Sequence, residues 1–342
     1  MSLIKKLAYY DYFKRHLYFY LTYSLNLISR VFLKNRLMLV EISFESQCNF
    51  KCWHCSSSEF LNKNIRLSLD QLKGVVKKLK AAGAISIAYV GGEPMLRKDL
   101  CDIVRLTNEN WILPSIITNA FLLTEEKTDE LFKAGLAFMG FSLQSMNPDV
   151  HDGWVNQRGA HAKVLKSIEY CIQKGYPCSI CVVPTNENLN NGDFNAMINF
   201  SLGKKIRVNV NLPAPAGKLL NDVSCLLTKE SLDALFKKYL VLENVLPDFK
   251  MATLSGEFVC PMGGDVIYIL PNGDVCPCTF TQVAFGNVLK DPVDDILNKM
   301  RNSDLLKNLN RKRCCPISMD RDFISRVGEI KKQAAFITSS WI

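Results

Sequence analysis

The chain has 342 residues, 48% hydrophobic and 22% charged, a balance that excludes disorder, low complexity and fibrous repeats and leaves room for one large core plus an appendage. Its formal net charge of +9 is scattered, apart from the N-terminal tract and Arg311-Lys312-Arg313, so nucleic acid is not implied; anionic small molecules or a membrane surface fit the charge equally well. Thirteen cysteines without a compact signal-peptide core ahead of them imply a reducing, cytoplasmic setting, in which clustered thiols are metal ligands rather than disulfides.

Residues 7–34 read as an amphipathic helix. Tyr10, Phe13, Leu17, Leu21, Ile28 and Phe32 recur at helical spacing, and Asp11, Lys14, Arg15 and Asn26 fall on the other side. The apolar stretch 17–28 is too short for a bilayer, which needs about 20 apolar residues. Such a helix packs on the main domain or a second subunit, or lies in a membrane interface as a peripheral contact.

From Met38 onward short apolar runs alternate with helix-periodic stretches. The runs are 38–44, 85–90, 112–118, 137–143, 178–183 and 206–212; charged stretches such as 69–81, 100–108, 125–134 and 162–174 lie between them. Parallel strands need crossover connections, and helices usually supply them, so six β-then-α units predict an α/β fold on a parallel sheet. Pro213, Pro215 and Gly217 end the regularity. A helix over 229–242 follows, then a cysteine-bearing region, 260–315, with the hairpin signal Pro271-Asn272-Gly273-Asp274. The expected division is an extension over 1–37, a main domain over 38–220 and a cysteine-rich domain over 221–342.

Cys48, Cys52 and Cys55 sit in the loop after the first run, with no fourth cysteine at zinc-knuckle distance. Three thiolates on one loop can hold three irons of a cubic cluster and leave the fourth open, and an open position is a catalytic feature. The alternatives are a zinc site recruiting His54, or inert thiols.

The Cys-x3-Cys-x2-Cys spacing resembles the signature of the radical S-adenosylmethionine (SAM) superfamily, with His54 where an aromatic residue usually stands. Tyr89-Val90-Gly91-Gly92-Glu93-Pro94 resembles that family's segment for the methionine amine of SAM, which assigns the role to Gly91, Gly92 and Glu93. Thr118-Asn119-Ala120 is similar to the family's Thr-Asn-Gly, with Ala120 a departure. Ser142, Gln144 and the segment ending Thr185-Asn186 resemble positions that meet ribose, carboxylate and adenosine, so Asn119, Ser142, Gln144 and Thr185 join the cofactor set. All of these lie at carboxyl ends of predicted strands, where parallel α/β folds bind ligands. The resemblance runs from Met38 to Gly217 and implies a partial (β/α)6 TIM-like barrel. It also implies that SAM chelates the open iron of a [4Fe-4S] cluster, that an electron from a flavodoxin- or ferredoxin-type donor splits it, and that the 5′-deoxyadenosyl radical removes a substrate hydrogen.

The spacing of Cys260, Gly273 and Cys278, followed by Gly286-Asn287-Val288, resembles the start of the family's SPASM or shorter twitch extension. This implies one auxiliary [4Fe-4S] cluster, held by Cys260, Cys278 and one or both of Cys314 and Cys315, with Cys276 a further candidate; a four-thiolate zinc site is the alternative. Relatives of this kind act on ribosomal peptides, an aminoglycoside or GTP. The short stretch before the barrel leaves little room for a leader-recognition domain, and the Ser-Ser-Trp-Ile ending lacks the Gly-Gly tail of the GTP-cyclising type. The expected enzyme oxidises, crosslinks or rearranges a biosynthetic small molecule or a peptide; a ribosomal-peptide maturase and a non-catalytic iron-sulfur or zinc protein are the other readings.

Overall fold

The computed structural model describes residues 37–247, 251–252, 258–307 and 315–339. The amphipathic helix expected over 7–34, and Cys314, lie outside them. Six parallel strands appear where the apolar runs stand: β1 (Leu39–Glu45), β2 (Ser86–Gly91), β3 (Leu113–Thr118), β4 (Phe138–Ser142), β5 (Cys178–Val182) and β6 (Arg207–Val210). The helices between them start where the sequence signals it. Ser68 and Gln71 form a reciprocal capping box that opens α1 (Leu69–Ala81). α2 is Leu100–Glu109, Thr124 caps α3 (Glu125–Lys133), and α4 (Pro148–Val155) and α5 (Ala160–Lys174) lie between β4 and β5. The short α6 (Asn186–Asn190) and α7 (Asp193–Lys204) lead into β6.

This is the expected partial (β/α)6 barrel, but its sheet has nine strands in the order β11-β10-β1-β2-β3-β4-β5-β6-β7. β7 (Val245–Pro247) extends one edge. At the other, β10 (Val266–Ile269) pairs in parallel with β1. The cysteine-rich region therefore closes the edge that an open barrel leaves at β1, where unpaired backbone N–H and C=O groups would otherwise stand. All four residues of β10 are buried, as that central position requires. The Pro271–Asp274 signal is the turn to antiparallel β11 (Val275–Cys276), and Gly273, with φ +90°, supplies the left-handed position. A separate two-stranded pair, β8 (Met251–Ala252) and β9 (Phe258–Val259), precedes it.

The helix expected over 229–242 runs as α8 (Lys229–Ala234) and continues as a π-helical turn over Leu235–Tyr239, whose two end residues are both buried. α9 (Val293–Asn302), α10 (Pro316–Met319) and α11 (Arg321–Ser339) complete the described chain. The core is continuous from Val40, Ile42 and Phe44 to Ile267, Val275 and Ile296, each such side chain contributing about 1.5–3 kcal/mol against exposure. One core therefore spans barrel and cysteine-rich region. No helix among the described residues is long and apolar enough to cross a membrane.

Candidate active site at the carboxyl ends of the strands

The loop after β1 carries the first three cysteines and is held from four sides. Cys48 N–H donates to the Asn62 side chain at 3.2 Å, and Lys51 and Trp53 N–H groups reach the Val155 and Trp154 carbonyls at the end of α4. Lys218, directly after β6 and its Pro-Ala-Pro-Ala-Gly exit, donates its N–H to Cys55 O at 3.0 Å and its ammonium to Cys52 O at 2.7 Å and Lys51 O at 3.2 Å. Gln282 Nε2 donates to Ser56 O at 3.0 Å.

Burial raises the Cys48 thiol to about 11, and burial together with the neighbouring Cys55 and Cys48 raises Cys52 to about 12; burial also raises Cys55, against which the nearby Lys218 charge acts. Three desolvated thiols crowded on one loop become thiolates only against a cationic centre, and an all-sulfur soft donor set suits iron and sulfide. His54 packs between Trp53 and Trp154, 5.0 Å from the latter's ring, and burial lowers it to about 4. Among the described residues no three His, Cys, Asp or Glu side chains converge on a single-ion site.

Gly91 and Gly92 bring the end of β2 against this loop. A Cβ at Gly91 (φ +114°) would stand 2.2 Å from Ser43 Oγ, and one at Gly92 would stand 2.0 Å from Gln47 O. Only glycine permits the hydrogen bonds Gly92 N to Glu45 O and Glu93 N to Gln47 O, at 2.9 and 2.8 Å. The Glu93 carboxylate is buried and already accepts from Thr118 Oγ1 at 2.5 Å, Asn119 N at 2.9 Å and Met95 N at 3.0 Å; these donors pull its pKa down while burial, the larger effect, raises it. It ties β2 to β3 as well as bordering the loop.

The other expected cofactor residues also sit at strand ends. Asn119 donates through Nδ2 to Asn49 in the cysteine loop at 2.9 Å, and Asn49 Nδ2 is itself buried without a partner among the described residues. Ala120, in place of the resembled glycine, adopts φ +60°, the left-handed conformation that favours glycine. Ser142 ends β4. Gln144 accepts the Val183 N–H at 3.0 Å, and the Thr185 hydroxyl caps α6. Arg97, which the sequence did not single out, is buried and donates to Phe44 O, Leu67 O and both Asp99 oxygens, fastening the segment after Glu93 to β1. Lys218 and Gln282 were equally invisible, since a lone Lys or Gln in a loop carries no pattern.

Four of the second set of cysteines, Cys260, Cys276, Cys278 and Cys315, fall among the described residues. Cys315 lies near Cys260 and Cys278, and burial raises Cys278 and Cys315 alike. Cys276, expected as a further ligand candidate, pairs across the β10–β11 hairpin with Tyr268 and packs with Leu270, Phe60 and Val90.

Two family models match: the radical SAM superfamily over residues 42–200 and an iron-sulfur cluster-binding domain, SPASM, over residues 260–318. The chain belongs to the radical SAM superfamily. As a radical SAM enzyme it takes SAM and a [4Fe-4S] cluster as cofactors, and its SPASM segment takes an iron-sulfur cluster of its own. It is 27% identical over 252 residues to PqqA peptide cyclase of Bradyrhizobium diazoefficiens, which covers 70% of this chain and 66% of that protein. It is 27% identical over 288 residues to GTP 3′,8-cyclase of Helicobacter pylori, covering 79% and 87%. The crystal structure of Streptococcus suis SuiB bound to precursor peptide SuiA superposes with TM-score 0.63 at 20% identity, covering 83% of this chain and 69% of that one, a likeness of fold.

Proposed function

We propose that this radical SAM enzyme starts hydrogen abstraction at the Cys48-Cys52-Cys55 loop and acts on a peptide, with a net two-electron oxidation or crosslink as the outcome. When bound, SAM and its cluster supply a carbon-centred radical that takes a hydrogen atom from the substrate, and the auxiliary cluster supplies an acceptor for the electron left behind. Cys48, Cys52 and Cys55 would hold three irons, leaving the fourth for SAM. The backbone of Gly91, Gly92 and Glu93 presents carbonyl groups to the methionine amine, while the Glu93 side chain keeps β2 and β3 together. Asn119, Ser142, Gln144 and Thr185 border the remainder of SAM at the ends of β3, β4 and β5. Cys260, Cys278 and Cys315 hold the auxiliary cluster. A flavodoxin- or ferredoxin-type protein supplies the electron. No disulfide joins the twelve described cysteines, as expected in a reducing cytoplasm.

The peptide assignment is carried by the alignment with PqqA peptide cyclase. The longer alignment with GTP 3′,8-cyclase favours a second reading, a nucleotide substrate. Anaerobically reconstituted protein, reduced and given SAM, should release 5′-deoxyadenosine. Short peptides encoded beside its gene should change mass in its presence, whereas GTP turnover without any peptide product would replace the first reading by the second.

A further inference from the structure

Two hydroxyl groups beside the second set of cysteines have no structural task. Thr281 is fully buried and Ser318 is 7% exposed, and neither Oγ has a hydrogen-bond partner among the described residues. Burying a hydroxyl without an acceptor is costly, so such groups persist where an acceptor belongs. The Thr281 N–H donates to Cys278 Sγ at 3.3 Å, which brings that residue's two donors to the same sulfur. Ser318 folds over Cys315 in the turn that opens α10, its N–H on Cys315 O at 3.0 Å.

We infer that the Thr281 and Ser318 hydroxyls donate hydrogen bonds to the Cys278 and Cys315 thiolates of the auxiliary cluster and set its reduction potential. The inference rests on the proposal that Cys260, Cys278 and Cys315 hold that cluster. A donor aimed at a ligand sulfur stabilises the more negative, reduced state, so hydrogen bonds to the sulfurs raise the potential. Both residues act through the cysteines and are positioning residues. Their placement serves an electron acceptor: a buried cluster with dry surroundings is hard to reduce, and two fixed donors offset that.

The test uses the full chain carrying Cys48→Ala, Cys52→Ala and Cys55→Ala, reconstituted anaerobically, so that only the auxiliary cluster responds in a redox titration followed by electron paramagnetic resonance. Thr281→Val and Ser318→Ala should each shift the midpoint to more negative potential, the double variant further, and Thr281→Ser should restore the parent value. Full iron content with midpoints equal to the parent's overturns the inference while leaving the cluster assignment intact. A parent that binds no iron overturns the cluster assignment itself. If Thr281→Val loses its iron, Ser318→Ala decides alone, a negative shift supporting the inference and an unmoved midpoint refuting it.

Discussion

Gln282 donates its side-chain amide to the Ser56 carbonyl at 3.0 Å and to the Thr279 carbonyl at 2.8 Å, so the segment after Cys278 grips the loop that carries Cys55. Thr279 adds a second tie, its hydroxyl donating to the Glu41 carboxylate on β1, and Lys331 of α11 a third, its ammonium on Glu59 at 2.9 Å. The two cysteine sets are therefore joined mechanically. A side-chain hydrogen bond contributes about 0.5–1.5 kcal/mol. Gln282→Ala should therefore keep its iron but form 5′-deoxyadenosine up to about tenfold more slowly, with an altered magnetic signal from the SAM-binding cluster; kinetics and signal equal to the unmodified enzyme would show that the grip has no consequence.

The second cysteine set makes a sharper claim about iron. Cys260→Ala, Cys278→Ala and Cys315→Ala should each lower bound iron by up to about half if two four-iron clusters are present, and Cys48→Ala, Cys52→Ala and Cys55→Ala combined should do the same. Cys276→Ala should keep it, because that thiol packs in the apolar layer with Tyr268 and Leu270. Iron and sulfide assays on the purified variants check this, and loss of iron in Cys276→Ala would return that residue to the ligand set.

What the sequence made legible is what is local. The apolar runs mark β1 to β6 because a buried parallel strand needs little beyond apolar residues and a helical return, and the helix-periodic stretch 69–81 marks α1 because its period is written in neighbouring residues. The place of 266–269 was not legible as part of the barrel sheet: Val266 to Ile269 read as one strand of a hairpin, and only the open edge of β1, more than two hundred residues away, decides its second partner. Glu93 was read as a group for a cation because its type and position suit one, whereas its three donors come from Thr118, Asn119 and Met95, which meet it only through folding. The register that sets Cys276 opposite Tyr268 is likewise settled only by folding.

Glycines offer a paired comparison. Gly92→Ala places a methyl group 2.0 Å from the Gln47 carbonyl oxygen, backbone that cannot swing aside, so the cysteine loop must shift; overpacking of this kind costs about 1–3 kcal/mol. SAM binding should be lost with it. Gly74, inside α1, has nothing within 4 Å of its would-be Cβ, so Gly74→Ala should raise stability by about 0.5–1 kcal/mol through helix propensity. Thermal unfolding and equilibrium SAM binding of the two variants measure both effects, and a Gly92→Ala protein that binds SAM normally would refute the close approach.

His151 supplies a dependence on pH. It is 1% exposed and accepts the Gln144 N–H at Nδ1, 3.1 Å away. His161 (rings 5.8 Å apart) opposes its protonation, and Asp152 favours it. Burial, the largest effect, lowers its pKa from 6.5 to about 4. The unfolded chain then takes up the proton more readily than the folded one, so stability from this residue is complete above 6.5, falls as pH drops through 6.5, and levels off below about 4. At pH 5 the loss is on the order of 2 kcal/mol relative to pH 8. His151→Gln, which keeps an acceptor for Gln144 but does not titrate, should narrow the stability difference between pH 8 and pH 5 by that amount in thermal or denaturant unfolding of the iron-loaded protein. An unchanged difference would mean that the imidazole is solvated enough to take up its proton in the folded state.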